Sequence, residues 1–216
     1  MGPDREGEKR AAAQAAAELV EDSMTVGLGT GSTVAHLLPA LARRNLSIRC
    51  VATSPRTERI ASGLGLRVEP FAYDRLDLAI DGADQISPDG WLVKGGGGAH
   101  TREKVVAAAA DAFVVIADST KPVDALRPPI PIEVLAFGAT STFARIGDVR
   151  RRDGPPTPDG GVLADVIAEF DDPAVLAGVL DGEPGVIGHG LFAPGLVRTV
   201  LIGRGDAVER IDLPSR

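Results

Sequence analysis

The chain has 216 residues, a formal net charge of −7 and a pI of about 5.0. An acidic chain is not expected to take nucleic acid or an anionic membrane as its main partner, because both reward clustered Lys and Arg. A single cysteine, Cys50, excludes a disulfide framework, and no apolar run approaches the roughly 18 residues of a membrane span. With no targeting segment at the N-terminus, the sequence predicts a cytoplasmic protein.

The first part of the chain alternates helix-period segments with short apolar runs. The alanine-rich segment 5–22 predicts a helix, and MTVGLG, residues 24–29, predicts a strand that leads through the loop TGS into a helix over 34–44. Further predicted strands are SIRCVATS, RVEPF, LDLAI, WLVK and FVVIAD, with the helix PRTERIASGL after the first of them. This pattern favours an α/β fold with a Rossmann-like, mostly parallel sheet and helices on both faces.

The character of the sequence changes after Lys121. The proline-rich segment PVDALRPPIPIEV is interpreted as an exit from the first domain, and the helix and strand mixture that follows suits a small inserted α+β domain. The tail VRTVLIGRGDAVERIDL predicts two strands that return to the main sheet. We therefore expect a catalytic domain over residues 1–127 and 197–216, and a small domain over residues 128–196.

Three loops carry the residues most suited to chemistry, and the first is GLGTGST, residues 27–33. It joins a predicted strand to a predicted helix, where backbone N–H groups and the helix dipole bind phosphate. A plain tight turn is one alternative and a dinucleotide fingerprint is another. The fingerprint is disfavoured because Ser32 replaces its third glycine and the second strand ends in Thr53 and Ser54, with no acidic residue for a ribose. A small phosphate suits the hydroxyl-rich loop better.

The second loop is IDGADQ, residues 80–85, which places Asp81 and Asp84 on one short loop after the strand LDLAI. A solvated Asx turn is the alternative interpretation of such a pair. The functional interpretation depends on position, because loops at the carboxyl ends of parallel strands line the ligand crevice of an open sheet. We expect GLGTGST, IDGAD and KGGGG all to lie at such ends.

The third loop is LVKGGGGAHTREK, residues 92–104, in which Lys94 precedes four glycines. Glycines let the main chain approach a ligand closely, and successive N–H groups can point at one developing negative charge. Lys94 would reinforce that stabilisation, and Glu103, in the first turns of the next helix, could act as a base. An ordinary acid at a helix N-terminus is the alternative interpretation of Glu103.

In this order and spacing, GLGTGST, TSPRTERIASGLGL, AIDGADQI, LVKGGGGAHTREKVV, VVIADSTK, PIPIEVLAFG and GVIGHGLF resemble the ribose-5-phosphate isomerase family, type A. The resemblance spans nearly the whole chain. It implies a homo-oligomeric enzyme, a homodimer or alternatively a homotetramer, that interconverts D-ribose 5-phosphate and D-ribulose 5-phosphate in the pentose phosphate pathway. It also implies a sugar phosphate as the substrate, with no cofactor and no metal.

Residue by residue, the resemblance implies that Glu103 is the general base and that Asp81, Asp84 and Lys94 bind the sugar and assist ring opening and proton transfer. Either aspartate could open the ring. The implied substrate-binding residues are Thr30, Gly31, Ser32, Thr33, Asp81, Gly82, Ala83, Asp84, Lys94, Gly95, Gly96, Gly97 and Lys121, the last as a phosphate-side lysine. The chain departs from the family pattern at Gln85, His100 and Thr101, near the proposed base.

Two other classes of protein share features of this sequence. A sugar-phosphate sensor of a transcription regulator would need a DNA-binding module, which is not expected because the first predicted helix starts near the N-terminus. An aminosugar phosphate isomerase-deaminase or a CoA transferase is disfavoured by the four-glycine loop followed by REK. A metal site is not expected, because neither His36 nor His189 has a second His or Cys at ligand spacing.

Overall fold

A computed structural model describes residues 4–214 of the chain, and its contacts divide the chain into two compact units. Unit 1 consists of residues 4–83, 102–121 and 195–214, and unit 2 of residues 84–101 and 122–194. The sequence assigned residues 84–101, which include the four-glycine loop, to the first domain. In the structure this segment groups with unit 2, where its strand Leu92–Val93 pairs with Leu191–Phe192 of the 122–194 segment.

The elements are named in chain order. The helices are α1 (Arg5–Ala17), α2 (Ser32–Arg43), α3 (Pro55–Gly63), α4 (His100–Ala109), α5 (Ala139–Ile146) and α6 (Pro173–Asp181). The strands are β1 (Thr25–Leu28), β2 (Arg49–Ala52), β3 (Arg67–Val68), β4 (Leu78–Gly82), β5 (Gln85–Ile86), β6 (Leu92–Val93), β7 (Phe113–Asp118), β8 (Ile130–Leu135), β9 (Val149–Arg151), β10 (Gly161–Val166), β11 (Val186–His189), β12 (Leu191–Phe192), β13 (Thr199–Arg204) and β14 (Ala207–Asp212).

Unit 1 is built on a seven-stranded sheet in the order β14-β13-β7-β4-β1-β2-β3. Every neighbouring pair is parallel except the terminal hairpin β13–β14, so the predicted mostly parallel α/β sheet is confirmed. Helices cover both faces. Val26 and Leu28 of β1 pack in a core with α1 and α2, whereas a side chain at Gly27, on the opposite face, would lie 2.3 Å from Cγ1 of Val106 in α4.

Helix α1 is tied to the sheet by both packing and polar contacts. The side chain of its N-cap residue, Asp4, accepts a hydrogen bond from the Gly7 N–H. The buried alanines of the helix pack against α2 and the sheet. Small side chains allow this close approach, as at Gly203 of β13, where a Cβ would lie 2.1 Å from the carbonyl oxygen of Glu8. The helix ends at Ala17 instead of continuing to residue 22 as predicted.

Unit 2 contains two small sheets. A four-stranded antiparallel sheet has the order β11-β8-β10-β9, and a three-stranded antiparallel sheet has the order β12-β6-β5. A separate apolar core forms around Ile130, Ile132 and Val134 of β8, with Leu180 of α6 buried in it.

Two expectations about the loops are wrong in detail. Asp81 and Gly82 lie within β4, paired with Val115 and Ile116 of β7, so the strand extends past the apolar run LDLAI into the predicted loop. The KGGGG segment follows β6, which belongs to the antiparallel sheet of unit 2, and is therefore not at the end of a strand of the parallel sheet. Between residues 4 and 214 no helix has the length and apolar character needed to cross a membrane.

Candidate functional site

In unit 1, the predicted site residues that follow β1 and end β4 lie where the strand order of the sheet reverses. From β1, the chain builds outward through β2 and β3 on one side and through β4, β7 and β13 on the other. The carboxyl ends of β1 and β4 therefore flank a topological switch point, where open α/β sheets bind their ligands. The loop after β1 carries Thr30, Gly31, Ser32 and Thr33, and the end of β4 carries Asp81, so the predicted residues of both strands lie at this point.

Asp81 fastens the loop after β1 to the end of β4. Its side chain is buried, and its Oδ1 accepts hydrogen bonds from the Thr30 N–H at 3.1 Å and the Gly82 N–H at 2.7 Å. The loop approaches so closely that a Cβ on Gly29 would lie 1.9 Å from the Asp81 carboxyl carbon. Gly29 is thus required for the placement of Asp81, a role that the sequence alone did not reveal.

The hydroxyl of Thr30 is engaged in holding the loop. Thr30 Oγ1 lies 2.5 Å from Ser54 Oγ and 2.8 Å from Thr57 Oγ1, and Thr57 Oγ1 donates to the Gly29 carbonyl at 2.9 Å. Ser54 also caps α3 by accepting from the Thr57 N–H. Ser54 and Thr57 therefore support the loop. From the sequence, Ser54 was only an argument against a dinucleotide site, and Thr57 was not singled out.

The N-terminus of α2 is suited to an anion. Its N-cap is Gly31, which has φ +136° and no side chain with which to cap the helix. Ser32 is exposed and Thr33 is buried in the first turn. The first N–H groups of a helix lack partners within the helix and sit at the positive end of its dipole, so they attract a phosphate.

Lys121 follows β7, the neighbour of β4, on the turn after the strand. The Thr120 N–H donates to Asp118 Oδ1 at 3.0 Å, and the Lys121 N–H donates to the Asp118 carbonyl at 3.2 Å. The turn is further fixed from α1, because buried Glu8 accepts from the Ser119 N–H, the Ser119 hydroxyl and the Gly205 N–H. These three donors hold the pKa of Glu8 below its ordinary value, the Ser119 hydroxyl most of all.

Glu103 lies in the first turn of α4, as expected, and only 5% of its surface is exposed. Burial disfavours a charged carboxylate, whereas the positive end of the helix dipole favours it. A carboxylate shielded from water in the first turn of a helix is a suitable base for abstracting a proton from carbon.

In unit 2, Lys94 is placed by its main chain. Its N–H donates to the carbonyl oxygen of Gly190 at 2.8 Å, and a Cβ on Gly190 would lie 2.1 Å from the Lys94 carbonyl oxygen. The side chain is buried, with Nζ 5.5 Å from the centre of the Phe192 ring. That distance is within the range of a cation–π interaction, which favours the charged ammonium.

Two of the glycines after Lys94 are required by the backbone conformation and packing of the protein itself. Gly95 has φ +107°, and a Cβ there would lie 2.7 Å from Nδ1 of the fully buried His100 and 2.8 Å from Cβ of Pro131. A Cβ on Gly98, which has φ +74°, would lie 2.6 Å from Leu163 Cδ1. The packing role expected for His100 is consistent with this close contact.

Asp84 and Gly96 are brought together within unit 2. The Gly96 N–H donates to Asp84 Oδ2 at 2.8 Å, and Asp84, unlike Asp81, is exposed to solvent. Gln85, next along the chain, exchanges two hydrogen bonds with the main chain of Arg127. Gly97 is exposed beside Gly96, and Ala83 is half-buried at the end of unit 1.

One charged pair that contacts the glycine loop belongs to none of the sequence motifs. Arg152 donates to the carbonyl oxygen of Gly95 at 2.7 Å and forms two hydrogen bonds with the carboxylate of Asp165. The run VRRR before a proline-rich segment was the only local signal. Among residues 4–214, no three His, Cys, Asp or Glu side chains are grouped so as to hold a metal ion.

Most of the chain matches one family of known proteins. A family model described as ribose 5-phosphate isomerase A (phosphoriboisomerase A) matches residues 49–207. Ribose-5-phosphate isomerase A of Halobacterium salinarum is 43% identical over 222 residues, covering 96% of this chain and 96% of that protein. The protein of the same name from Methanosarcina acetivorans is 42% identical, covering 94% of this chain and 93% of the relative.

Solved structures agree with the sequence comparison. Ribose 5-phosphate isomerase A from Methanocaldococcus jannaschii has a TM-score of 0.89 and 32% identity, with 94% of this chain and 97% of that chain covered. A D-ribose-5-phosphate isomerase solved in complex with phospho-erythronic acid has a TM-score of 0.90 and 32% identity, with 97% of this chain and 99% of that chain covered.

A second family model, the C-terminal sensor domain of DeoR, matches residues 4–60. This match covers the first strand, the loop after it and the helix that follows. It ends before Asp81, Lys94 and Glu103, so it does not extend to the residues predicted to carry the chemistry.

Proposed function

The chain belongs to the ribose 5-phosphate isomerase A family, and from this premise we propose that it interconverts D-ribose 5-phosphate and D-ribulose 5-phosphate through an enediolate. The observation that carries the proposal is the buried carboxylate Glu103 in the first turn of α4, directly after the glycine loop. Isomerisation of an aldose to a ketose removes a proton next to a carbonyl and returns it to the neighbouring carbon. One carboxylate can make both transfers, and Glu103 is the residue that we assign to them.

The enediolate oxygen requires donors that are in place before the charge develops. We assign this role to the ammonium group of Lys94 and to N–H groups of the glycine loop from Gly95 to Gly97. Removing one donor from comparable sites costs about 2.7 to 4 kcal/mol of transition-state stabilisation. Support comes from the burial of Lys94, because charge stabilisation is stronger where water is excluded.

Opening of the sugar ring needs an acid and base near the anomeric hydroxyl, and we assign it to Asp84. Asp81 is buried, and one of its oxygens already accepts two main-chain N–H groups, which suits a residue that fixes the loop and binds sugar hydroxyls. Asp84 is exposed, so its carboxylate can exchange protons with solvent during the reaction.

The phosphate is assigned to the first turn of α2, with Ser32 and Thr33, and to Lys121. The N-terminus of α2 has no side-chain cap, so its first N–H groups can bind a phosphate, and Lys121 supplies a positive charge on the turn after β7. A related isomerase has been solved with phospho-erythronic acid, a phosphorylated acid, which supports a site that accepts a phosphate and a second negative charge. Asp81, Gly82 and Ala83 complete the assigned substrate-binding residues.

The proposal is tested by following the conversion of ribose 5-phosphate to ribulose 5-phosphate after exhaustive dialysis against EDTA. We expect full activity without added metal or nucleotide, because the assigned chemistry uses only side chains and N–H groups. Activity that is lost with EDTA and restored by a divalent ion would overturn the metal-free mechanism. A protein that binds ribose 5-phosphate without converting it would instead act as a sensor.

We further propose that the protein works in the cytoplasm as a homodimer, with a homotetramer as the alternative. The single cysteine, which excludes a disulfide framework, supports the location. Large exposed apolar side chains of unit 2, among them Phe137 at 93% exposure, are consistent with self-association. Sedimentation equilibrium at several concentrations distinguishes a monomer, a dimer and a tetramer.

A further inference from the structure

We propose that Arg152, held by Asp165, is a positioning residue that fixes the Gly95–Gly96 peptide and through it the carboxylate of Asp84. The inference rests on the proposed function, in which Asp84 acts on the sugar. Neither Arg152 nor Asp165 is among the residues that the sequence motifs point to. All of the groups involved lie within unit 2.

The guanidinium group of Arg152 connects two parts of unit 2. Its Nε and Nη2 donate to the two oxygens of Asp165, at 3.0 and 2.6 Å. Its Nη1 donates to the carbonyl oxygen of Gly95 at 2.7 Å. The planar fork of an arginine makes this combination of a bidentate pair and a third, fixed hydrogen bond, which a lysine cannot reproduce.

The same peptide unit contacts Asp84 on its other side. The carbonyl of Gly95 accepts from Arg152, and the N–H of the following residue, Gly96, donates to Asp84 Oδ2 at 2.8 Å. Because a trans peptide is planar, fixing the direction of its carbonyl also fixes the direction of its N–H. The guanidinium therefore determines where the donor to Asp84 points.

The peptide between Gly95 and Gly96 can rotate easily unless it is held, because both flanking residues are glycines. We call the Arg152–Asp165 pair that holds it the clamp. Gly95 is in a backbone conformation with φ +107°, and both residues lack the side chains that would limit rotation of the peptide plane. On this side the loop borders a cavity of about 380 Å³, whose lining includes Gly96, Gly97 and Arg152. Asp165 provides the fixed end of the clamp, since it is buried in β10 between β8 and β9.

Unit 2 offers a matched control in Arg145 of α5. Arg145 also bridges a carboxylate and a main-chain carbonyl, with Nε 2.7 Å from Glu183 Oε1 and Nη2 2.8 Å from the Pro184 oxygen. Its hydrogen bonds within the described part of the chain go to Ser141, Thr142, Glu183 and Pro184, which lie outside the glycine loop. Replacing each arginine by methionine keeps most of the side-chain volume and removes the hydrogen bonds. The two variants then differ in which main-chain carbonyl loses its arginine donor, that of Gly95 or that of Pro184.

The first readout is steady-state turnover of ribose 5-phosphate. Arg152→Met should lower kcat by about 10- to 100-fold, as expected when a group in the site is misplaced, with KM changed by less than about threefold. Arg152→Lys should restore only part of the loss. Arg145→Met should keep kcat within about twofold of wild type. Turnover by wild type and an unchanged kcat in Arg152→Met would overturn the inference alone, whereas an inactive wild type would overturn the proposed function.

A double-mutant cycle with Asp84→Asn separates positioning from a general loss of structure. An asparagine at position 84 can still accept from the Gly96 N–H but cannot act as an acid or base. If Arg152 acts through the Asp84 carboxylate, adding Arg152→Met to Asp84→Asn should lower kcat by less than about threefold more. Losses that multiply would show that Arg152 acts by another route and would overturn the inference.

The second readout does not depend on activity. The amide hydrogen of Gly96 should exchange slowly with solvent in wild type and in Arg145→Met, and faster in Arg152→Met, by NMR-detected exchange. If Arg152→Met does not fold, Asp165→Asn is the substitute, because it weakens the fixed end of the clamp and keeps Arg152. It should accelerate Gly96 exchange in the same way. Unchanged Gly96 exchange in a folded variant of either residue would contradict the clamp.

Discussion

The two loops that carry most of the proposed chemistry are held in different ways. In unit 1, the loop from Gly29 to Thr33 joins a strand to the helix that directly follows it, and Asp81 from a neighbouring strand fastens it. In unit 2, the loop from Lys94 to Gly98 is fixed by contacts with Gly190 and Arg152, which are distant in sequence. The first loop is a feature of its supersecondary motif, whereas the second is a feature of the folded unit.

The difference extends to how glycine is used. Gly29 is required by a single close contact, with the Asp81 carboxylate, in a backbone conformation open to other residues. Gly95 is required both by its φ of +107° and by its contacts with His100 and Pro131. Function at the second loop should therefore be the more sensitive to any added side chain.

The largest effect expected in either region is that of Glu103→Gln, because glutamine keeps the size of glutamate but cannot take up the proton. General-base catalysis contributes on the order of 10² to 10⁴ in rate, and a base used in both transfers should lie at or above the upper end. Steady-state kinetics should show a loss of kcat with little change in KM. The matched control is Glu58→Gln, an exposed acid in the first turn of α3, which should leave kcat unchanged.

Alanine substitutions at the two loops sharpen the comparison. Gly29→Ala should cost about 1 to 3 kcal/mol of stability through overpacking and displace Asp81. In Gly95→Ala, a left-handed conformation adds about 1 to 2 kcal/mol to the cost of overpacking against His100 and Pro131. Both substitutions should also reduce kcat. Urea unfolding measures the loss of stability, and steady-state kinetics of the same variants measure kcat.

Two exposed helical glycines with open space around them serve as controls, Gly63 in α3 of unit 1 and Gly178 in α6 of unit 2. Their replacement by alanine should leave the midpoint of urea unfolding unchanged or raise it, since alanine favours a helix by up to about 1 kcal/mol over glycine. A Gly95→Ala variant as stable as Gly178→Ala would contradict the packing described for the second loop.

A smaller effect is expected from Lys121→Ala in unit 1. A lysine that grips the phosphate interacts alike with substrate and transition state, so its loss should raise KM and leave kcat nearly intact. Hydrogen bonds to charged groups contribute roughly 1.5 to 3 kcal/mol, which corresponds to an increase of about 10- to 100-fold in KM. A collapse of kcat at constant KM would mean that Lys121 takes part in the chemistry instead.

The smallest effect concerns the turn that carries Lys121. Glu8 has a pKa below its ordinary value of 4.5 because Ser119 and Gly205 donate to it, so ionised Glu8 stabilises the fold. That contribution is complete above the ordinary pKa and is lost as the pH falls through the lowered one. Glu8→Gln should therefore melt at a lower temperature than wild type at pH 7, with a smaller difference near pH 3. An equal difference at both pH values would mean that the charge of Glu8 is not involved.

Much of unit 1 could be predicted from sequence because its signals are local or follow a general rule. Strand, loop and helix succeed each other along the chain, and the rule for strand ends brought Thr30 and Asp81 together although they are 51 residues apart. The loop after β1, the first turn of α4 around Glu103 and the terminal hairpin all follow from such patterns.

Unit 2 could be predicted less well because its contacts depend on antiparallel pairing of short strands. β6 has only two residues, and nothing in its sequence indicates that it pairs with β5 and β12. The contact of Arg152 with Gly95 joins residues 57 apart and follows no motif. In unit 1, the sequence did not predict the length of β4. Asp81 and Gly82 were interpreted as loop residues, but they pair with β7.

The central claim is that the carboxylate of Glu103 moves a proton between two carbons of the sugar. The measurement that tests it most directly is NMR of ribose 5-phosphate in D₂O, which follows exchange of the proton next to the carbonyl together with turnover. Wild type should show both, and Glu103→Gln should lose both together while it still binds ribose 5-phosphate. Exchange at the wild-type rate in Glu103→Gln would contradict the account and assign the base to another residue, with Asp81 and Asp84 the first to test.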